Sequence, residues 1–190
     1  LPGGGQANTQ RATMGNVKQS FAAWQARCSK QADNIAFFYF CGHGLHKGEQ
    51  FLLPEDFANP ALPKRWENCI DFDGMRIGMR KCAAQTQLFL VDACRETPFG
   101  MLTQLAIQGD PLIDGADISD TVRCSAAYYA TAQGQQAYGP ADGITYFGQA
   151  ALSCLNGVAS LNKLGKWVVD SYSLGNALGQ VMAQMARRHR

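Results

Sequence analysis

The stretch NIAFFYFCGHG, residues 34–44, carries the strongest fold signal in this chain of 190 residues. Apolar and aromatic side chains fill both faces of the segment, a pattern that predicts a central parallel strand covered by helices on both sides. The strand leads into Gly42-His43-Gly44. In open parallel sheets, ligands bind beyond the carboxyl ends of the strands. His43 is therefore a candidate functional residue, although a lone histidine at a strand end is usually satisfied by a backbone carbonyl.

Outward from this stretch, strand-like and helical segments alternate along the chain. Further strands are predicted at TQLFLVDAC (86–94) and VRCSAAYYATA (122–132), and FLLPEDF (51–57) is a short extended piece that Pro54 ends. Helical patterns are present in MGNVKQSFAAWQARCSK (14–30), FDGMRIGMRKCAA (72–84), TYFGQAALSCLNGV (145–158) and SYSLGNALGQVMAQMARRHR (171–190). This alternation predicts an α/β fold with a mainly parallel sheet between two layers of helices.

Two of these helices have recognisable caps and apolar faces. Thr13 is the predicted cap of the first helix, whose Val17, Phe21 and Trp24 recur at helical spacing. Ser173 is the predicted cap of the last helix. The apolar face of that last helix is formed by Leu174, Leu178, Val181 and Met185.

Composition excludes several classes of function. A net charge of +2, with scattered basic residues, argues against nucleic-acid partners, and no apolar run is long enough to span a membrane. The seven cysteines include no CxxC pair, so we expect no zinc site and no disulfide framework. Reduced thiols suggest a cytoplasmic protein. We divide the chain into a polar lead-in, residues 1–12, and one domain, residues 13–190.

A cysteine and a histidine meet at the same edge of the predicted sheet. The second strand ends in Asp92-Ala93-Cys94, so Cys94 as nucleophile and His43 as its base form a candidate catalytic pair. The backbone amides of Gly44 and Cys94 would then stabilise an oxyanion. Strand alternation puts Asp92 on the same side as Cys94, where a carboxylate would favour Arg or Lys in a substrate.

Other assignments compete with this pair. His46 is a rival base, but it lies further into the predicted loop and lacks the flanking glycines, and Cys41 is a rival nucleophile to which we assign a packing role. A cysteine phosphatase would need an Arg six residues after its Cys, where position 100 is Gly. A dinucleotide enzyme would need a GxGxxG after a strand, and the sequence has none.

These motifs resemble the caspase-like cysteine peptidases of clan CD, family C14. The GHG after an aromatic strand and the DAC-R after an aliphatic strand carry the resemblance, and His43 precedes Cys94 by 51 residues, close to the caspase spacing. FLLPEDF and YYATAQGQQAYG (128–139) resemble the bacterial caspase-like and metacaspase (orthocaspase) branch. The resemblance covers residues from about 13 to the C-terminus and implies a three-layer α/β/α sandwich with no required cofactor, although some metacaspases depend on calcium.

By this resemblance, His43 and Cys94 form the catalytic dyad, and Gly44 and Cys94 supply the oxyanion donors. Asp92 matches an acidic residue of the metacaspase S1 pocket. The segment Tyr129-Ala130-Thr131, at the end of the third strand, is expected to contact the substrate. True caspases read Gln-Ala-Cys-Arg-Gly where this chain has Asp-Ala-Cys-Arg-Glu, so cleavage after Arg or Lys is expected, not after Asp.

The resemblance also implies a strand, helix and strand ahead of the present first residue. We therefore expect the domain to be partial, with a further segment, another chain or a regulatory partner completing the sheet, because an uncovered apolar edge is a liability. The linker of residues 96–122 has no Lys or Arg and contains four aspartates, Asp110, Asp114, Asp117 and Asp120. A basic-specific enzyme would leave it uncut.

The function that follows is a cysteine endopeptidase acting on a protein substrate, and relatives of this kind often belong to bacterial stress or defence pathways. The alternative is a catalytically inactive caspase-like scaffold or regulatory module in which the dyad is misaligned.

Overall fold

A computed structural model describes residues 10–63, 66–97, 107–115, 124–140 and 143–188. Its helices are α1 Met14–Cys28, α2 Phe72–Gly78, α3 Tyr146–Ser153 and α4 Ser171–Arg188. Its strands are β1 Ile35–Cys41, β2 His43–Lys47, β3 Glu49–Leu53, β4 Ile70–Asp71, β5 Thr86–Asp92, β6 Cys124–Tyr129, β7 Leu161–Lys163 and β8 Lys166–Val168. A 3-10 turn, Met79–Lys81, follows α2, and a π-helical turn, Cys154–Val158, follows α3. Most of the lead-in and part of the linker lie outside the described residues.

The central sheet consists of three parallel strands in the order β1-β5-β6. Each residue of β1 pairs with the residue 51 positions later, from Ile35 with Thr86 to Cys41 with Asp92. Helix α2 lies between β1 and β5 along the chain, and parallel pairing requires such a crossover connection. The sheet therefore directs the ends of all three strands to one edge, as the sequence predicts.

Helices cover both faces of this sheet. On one face, Phe89 and Val91 pack with Phe72 and Met75 of α2 and with Phe21 of α1. On the other face, Leu90 of β5 packs with Phe147 of α3 and Leu174 of α4. The predicted three-layer α/β/α architecture is confirmed, because each face of β5 carries its own apolar cluster.

The predicted position of the first strand in the sheet is wrong for the described structure. Within the described residues β1 is an edge strand, and β5 is the central one. The β1 face that carries Ile35, Phe37 and Tyr39 is partly open, with exposed fractions of 63%, 40% and 43%. An aromatic run that is apolar on both faces indicates a strand that helices can cover on both sides. It does not predict whether that strand lies at the centre or at the edge of the sheet. Within the described residues, β1 leaves an apolar edge exposed, as expected.

A second, antiparallel sheet begins directly after Gly42. Strands β2 and β3 form a hairpin whose turn contains Gly48, with a φ of 78°. Strand β3 also pairs with β4. β3 ends at Leu53, before Pro54, as predicted. The hairpin itself is not foreseen from the sequence, and it places His46 in a strand opposite Gln50, whereas the sequence analysis puts His46 in a loop.

The helices agree with prediction except at particular ends. Thr13 caps α1 by accepting a hydrogen bond from the Asn16 N–H. For α4, the predicted Ser173 cap is wrong: the Asp170 carboxylate accepts from the Ser173 N–H at 2.7 Å, and the Ser173 hydroxyl accepts from the Asp170 N–H at 3.1 Å. This reciprocal pair makes Asp170 the cap and Ser173 its partner three residues on.

The second helix is shorter than predicted, because α2 ends at Gly78 and the chain tightens into the 3-10 turn.

The hairpin of β7 and β8 has no counterpart among the sequence predictions. Of the helices in the described ranges, none is long and apolar enough to cross a membrane.

Candidate active site

The end of β5 and the segment after β1 stay side by side beyond the limits of the strands. The Gly42 N–H donates to the Asp92 carbonyl at 3.1 Å, and the His46 N–H donates to the Glu96 carbonyl at 3.2 Å. The donor and the acceptor are 50 positions apart in both bonds, so the two segments keep one register between them. His43 and Cys94 lie within these two adjacent segments, each between the residues that the two bonds join.

Gly44 contacts the peptide of the candidate nucleophile. A Cβ atom on Gly44 would lie 2.7 Å from the Cys94 carbonyl oxygen and 2.9 Å from the Ala93 Cβ. Contacts this short with a backbone atom cannot be relieved by a rotamer change, so a side chain here would force the two segments apart. The close approach explains why position 44 is a glycine. The sequence analysis considered only substrate access and an oxyanion donor for this residue.

The Cys94 thiol lies under the loop that follows β6. Cys94 is half-buried, and its Sγ accepts a hydrogen bond from the Ala137 N–H at 3.4 Å. The same loop is fixed to Arg95, whose N–H donates to Gln135 at 3.0 Å and whose carbonyl accepts from Gly134 at 2.8 Å. His43 is exposed. Both residues lie in the described ranges, and no hydrogen bond joins the His43 ring to the Cys94 thiol. The two side chains therefore lie on adjacent segments without a hydrogen bond between them.

Asp92 is a buried carboxylate, 3% exposed. The Tyr39 hydroxyl donates to its Oδ2 at 3.0 Å, and the Thr145 hydroxyl at the start of α3 donates to the same oxygen. Burial, followed by the charge of Asp92, raises the pKa of Tyr39, so this phenol stays a donor. The sequence analysis identified Asp92 but neither hydroxyl; the only local signal for Thr145 is its suitability as a helix cap.

The packing role predicted for Cys41 is wrong. Cys41 is exposed, because it lies on the open face of the edge strand β1. Partial burial, followed by the Asp92 carboxylate, raises the pKa of its thiol. A thiol with a raised pKa is a weak nucleophile at neutral pH. The raised pKa argues against Cys41 as the nucleophile, and the cause is partial burial and the Asp92 charge, not packing in the core.

The remaining predicted site residues have varied surroundings. The Arg95 guanidinium lies 3.9 Å above the Tyr129 ring, which also contacts Phe72 edge-on. Ala130 packs against the cluster between the sheet and α3 and α4, and Thr131 is half-buried. Tyr129 is thus placed to support the loop after Cys94. Substrate contact by these three residues stays a prediction.

His46, the rival base, faces the loop after β6. Its Nδ1 lies 3.2 Å from the Gln133 amide nitrogen, and its carbonyl accepts from the Thr97 hydroxyl. The ring and the backbone of His46 thus both contact neighbouring loops.

All seven cysteines are free thiols. Across the described ranges, no three His, Cys, Asp or Glu side chains cluster in a way that could hold a metal ion.

Comparison with known proteins identifies the family. The family model for the caspase domain of peptidase family C14 matches residues 7–188. This chain belongs to the caspase family. A relative from Sinorhizobium fredii, the uncharacterized protein y4kE, is 32% identical over 161 residues, which cover 82% of this chain and 45% of the relative. The chain thus spans about half the length of that relative. Family membership confirms the resemblance and indicates a cysteine-peptidase-like domain.

Proposed function

We propose that this caspase-family domain is a cysteine endopeptidase that cleaves after Arg or Lys, with Cys94 as nucleophile and His43 as general base. The observation that supports the proposal is that the hydrogen bonds from Gly42 to Asp92 and from His46 to Glu96 hold the segments of His43 and Cys94 side by side. The imidazole is exposed and the thiol is half-buried, and the contact of the thiol with Ala137 must break before the two groups act together on a substrate.

The reaction follows from the chemistry of this pair. His43 takes the Cys94 proton, and the thiolate attacks the peptide carbonyl carbon, so that a C–S bond forms and the carbonyl electron pair moves to oxygen. The Gly44 and Cys94 amides are the proposed donors to that oxyanion. Collapse breaks the C–N bond, and the leaving amine takes the proton from His43. Water, deprotonated by His43, then hydrolyses the thioester and restores the thiol.

The basic specificity rests on Asp92. Its carboxylate is buried on the Cys94 side of β5, and the hydroxyls of Tyr39 and Thr145 both donate to Oδ2. A buried carboxylate gains from a cationic partner that reaches it, since the charge is otherwise only partly compensated. A guanidinium or ammonium entering from the side of the exposed Cys41 would supply that partner.

A panel of fluorogenic peptides that differ only at the residue before the cleaved bond tests this function. We expect turnover with Arg or Lys, none with Asp, and loss of turnover in both Cys94→Ala and His43→Ala. Cys41→Ala is the matched control and keeps turnover, because its thiol is not the nucleophile. Preferred turnover of the Asp peptide would refute the specificity, and full activity of Cys94→Ala would refute the mechanism.

The competing function, an inactive caspase-like scaffold, is favoured by one observation. The Cys94 thiol is engaged by the Ala137 N–H rather than by an imidazole. The two functions differ in a labelling experiment with an acyloxymethyl ketone peptide that ends in Arg. An endopeptidase is labelled at Cys94, and labelling falls in His43→Ala; a scaffold is labelled slowly and equally in both proteins.

We further propose that an extended segment, from a regulatory partner or from a longer form of this protein, pairs with the open edge of β1. A groove of about 1070 Å³ runs beside this edge, from Trp24 of α1 past Phe37 and Tyr39 to His43. A strand added there would satisfy the outward amides of β1 and cover its aromatic face. Hydrogen–deuterium exchange should show alternate β1 amides exchanging quickly in this chain alone and slowly once the edge is paired. Equal protection in both states would refute the pairing.

A further inference from the structure

We propose that Gln50 is a positioning residue that holds the peptide of the Cys94 nucleophile in its catalytic orientation; this inference rests on the proposed peptidase function. Gln50 lies in β3, is fully buried, and forms part of neither the dyad nor the oxyanion donors. Uncharged polar side chains of this size are rarely buried without a partner for each polar atom. The contacts of its amide explain its position.

Both ends of the Gln50 amide contact the segment that carries the nucleophile. The Nε2 group donates to the Cys94 carbonyl at 3.2 Å and to the Phe51 carbonyl at 3.3 Å. The Oε1 atom accepts from the Arg95 Nε at 3.1 Å. One side chain therefore binds the carbonyl of the nucleophile and the side chain of the next residue, which fixes the peptide between them from both sides.

The same amide contacts the second proposed oxyanion donor. A Cβ on Gly44 would lie 3.0 Å from the Gln50 Nε2 as well as 2.7 Å from the Cys94 carbonyl oxygen. Gln50, Gly44 and Cys94 thus pack around one point, where the two segments that would bind the oxyanion approach most closely. Release of the amide would let both donors move relative to each other.

Gln50 is itself anchored on two sides. Its N–H donates to the Asp73 carboxylate at 2.9 Å, which joins β3 to the start of α2. Its partner Arg95 is held by stacking on the Tyr129 ring. The main-chain bond to Asp73 is the anchor, and the side-chain bonds to Cys94 and Arg95 are the clamp. They are separate bonds, so substitutions can remove one and keep the other.

Gln50→Glu separates the parts of the clamp. The carboxylate keeps the size of the side chain and its acceptor for Arg95, but it cannot donate to the Cys94 carbonyl. We expect kcat for the Arg peptide to fall about 100-fold, the range for misplacing an oxyanion donor, while KM changes less than about threefold. Alkylation of Cys94 by iodoacetamide, which needs no oxyanion donor, should stay within about threefold of the wild type.

Two further variants keep the test decisive. Arg95→Lys removes the Nε donor that binds the Gln50 Oε1. We expect kcat to fall about 10-fold with KM unchanged, a smaller effect because only one of the two bonds to the Cys94 segment is lost. This variant tests the positioning role if Gln50→Glu does not fold. Asp73→Asn weakens only the main-chain anchor, and we expect a lower melting temperature with unchanged kcat.

The outcomes are distinguishable. A wild-type chain that hydrolyses none of the peptides contradicts the proposed function, and the role of Gln50 with it. An active wild type whose folded Gln50→Glu or Arg95→Lys variants keep kcat contradicts the positioning role alone. Parallel loss of kcat and of the alkylation rate in Gln50→Glu also contradicts it, because that pattern indicates general disruption of the site.

Discussion

Tyr39 and Asp92 are joined across the parallel pair of β1 and β5 by a hydrogen bond of 3.0 Å from the phenol to Oδ2. One partner lies on the open face of the edge strand, with 43% of its surface exposed, whereas the other is 3% exposed. The bond therefore connects the exterior of the sheet with a buried carboxylate two residues before the proposed nucleophile, Cys94. Any cation that binds Asp92 must do so beside this phenol.

The proposed specificity predicts the behaviour of Asp92→Asn. Asparagine keeps the size of the side chain and an oxygen that accepts from Tyr39 and Thr145, but it removes the charge. We expect kcat/KM for the Arg peptide to fall about 100-fold, as when one partner of a buried charge pair is lost. An Ala peptide should be hydrolysed at an unchanged rate.

Tyr39→Phe is the matched control for Asp92→Asn. It removes a donor and keeps the charge, so its effect on the Arg peptide should be smaller, about 10-fold, the worth of one hydrogen bond to a charged group. Steady-state kinetics with both peptides measure the two effects. An equal loss on Arg and Ala peptides in Asp92→Asn would show that Asp92 supports the fold instead of selecting the substrate.

Local patterns predict most of the elements but not their neighbours. The buried strand before Cys94 and the Thr13 cap follow from residues adjacent in sequence, and both are confirmed. The edge position of β1 depends on what lies beside it, which its own aromatic run does not encode. Asp170 and Ser173 are both good cap residues three apart, so sequence alone does not decide which of them caps α4.

The site shows the same division. The candidate pair of His43 and Cys94 is visible because each follows a recognisable strand. The partners of Asp92 and Cys94 are not visible, because Tyr39, Thr145 and Gln50 lie 44 to 53 positions away from the groups they contact. A glutamine or tyrosine in an apolar strand gives no sign of its partner until the register of the strands is known.

Tyr128 gives the fold a predictable response to alkaline pH. Its hydroxyl donates to the Ser171 carbonyl at 2.5 Å, and burial raises its pKa to about 12 from the ordinary value of 10.0. As pH rises above 10, the unfolded chain loses this proton before the folded chain does, so the contribution of Tyr128 to stability is full below pH 10 and is lost towards pH 12.

Urea unfolding at pH 7 to 11 tests this response. At neutral pH, Tyr128→Phe should be less stable than the wild type by about 1 kcal/mol, the net worth of one hydrogen bond. The gap should narrow above pH 10. Tyr172→Phe, in which the substituted side chain is 75% exposed, is the control and should leave the free energy of unfolding unchanged. A gap that widens at high pH would contradict the assignment.

The linker of residues 96–122 is predicted to stay uncut in the active enzyme. It contains no Lys or Arg, and its described part is docked: the Asp110 N–H donates to Cys69 at 2.8 Å, its carbonyl accepts from Asp71 at 3.0 Å, and Lys18 pairs with its carboxylate. Intact-mass spectrometry of enzyme that turns over the Arg peptide should give one chain. Two fragments that meet within this linker would contradict both the specificity and activation without cleavage.

Gly44→Ala should disrupt the site more than the fold. The added methyl would lie 2.7 Å from the Cys94 carbonyl oxygen and 3.0 Å from the Gln50 Nε2. Overpacking of this kind costs about 1–3 kcal/mol of stability. Because the relief must come from the segments that carry the proposed oxyanion donors, we expect kcat to fall about 100-fold or more.

Gly15→Ala is the control for the change from glycine to alanine. Gly15 lies in α1, where a Cβ would meet nothing within 4 Å, so alanine should raise the stability by about 1 kcal/mol through helix propensity and leave turnover unchanged. Thermal unfolding and peptide hydrolysis measure both variants. If Gly44→Ala lost stability but kept its kcat, the contact of Gly44 with Cys94 would be a packing detail, and the oxyanion site would have to lie elsewhere.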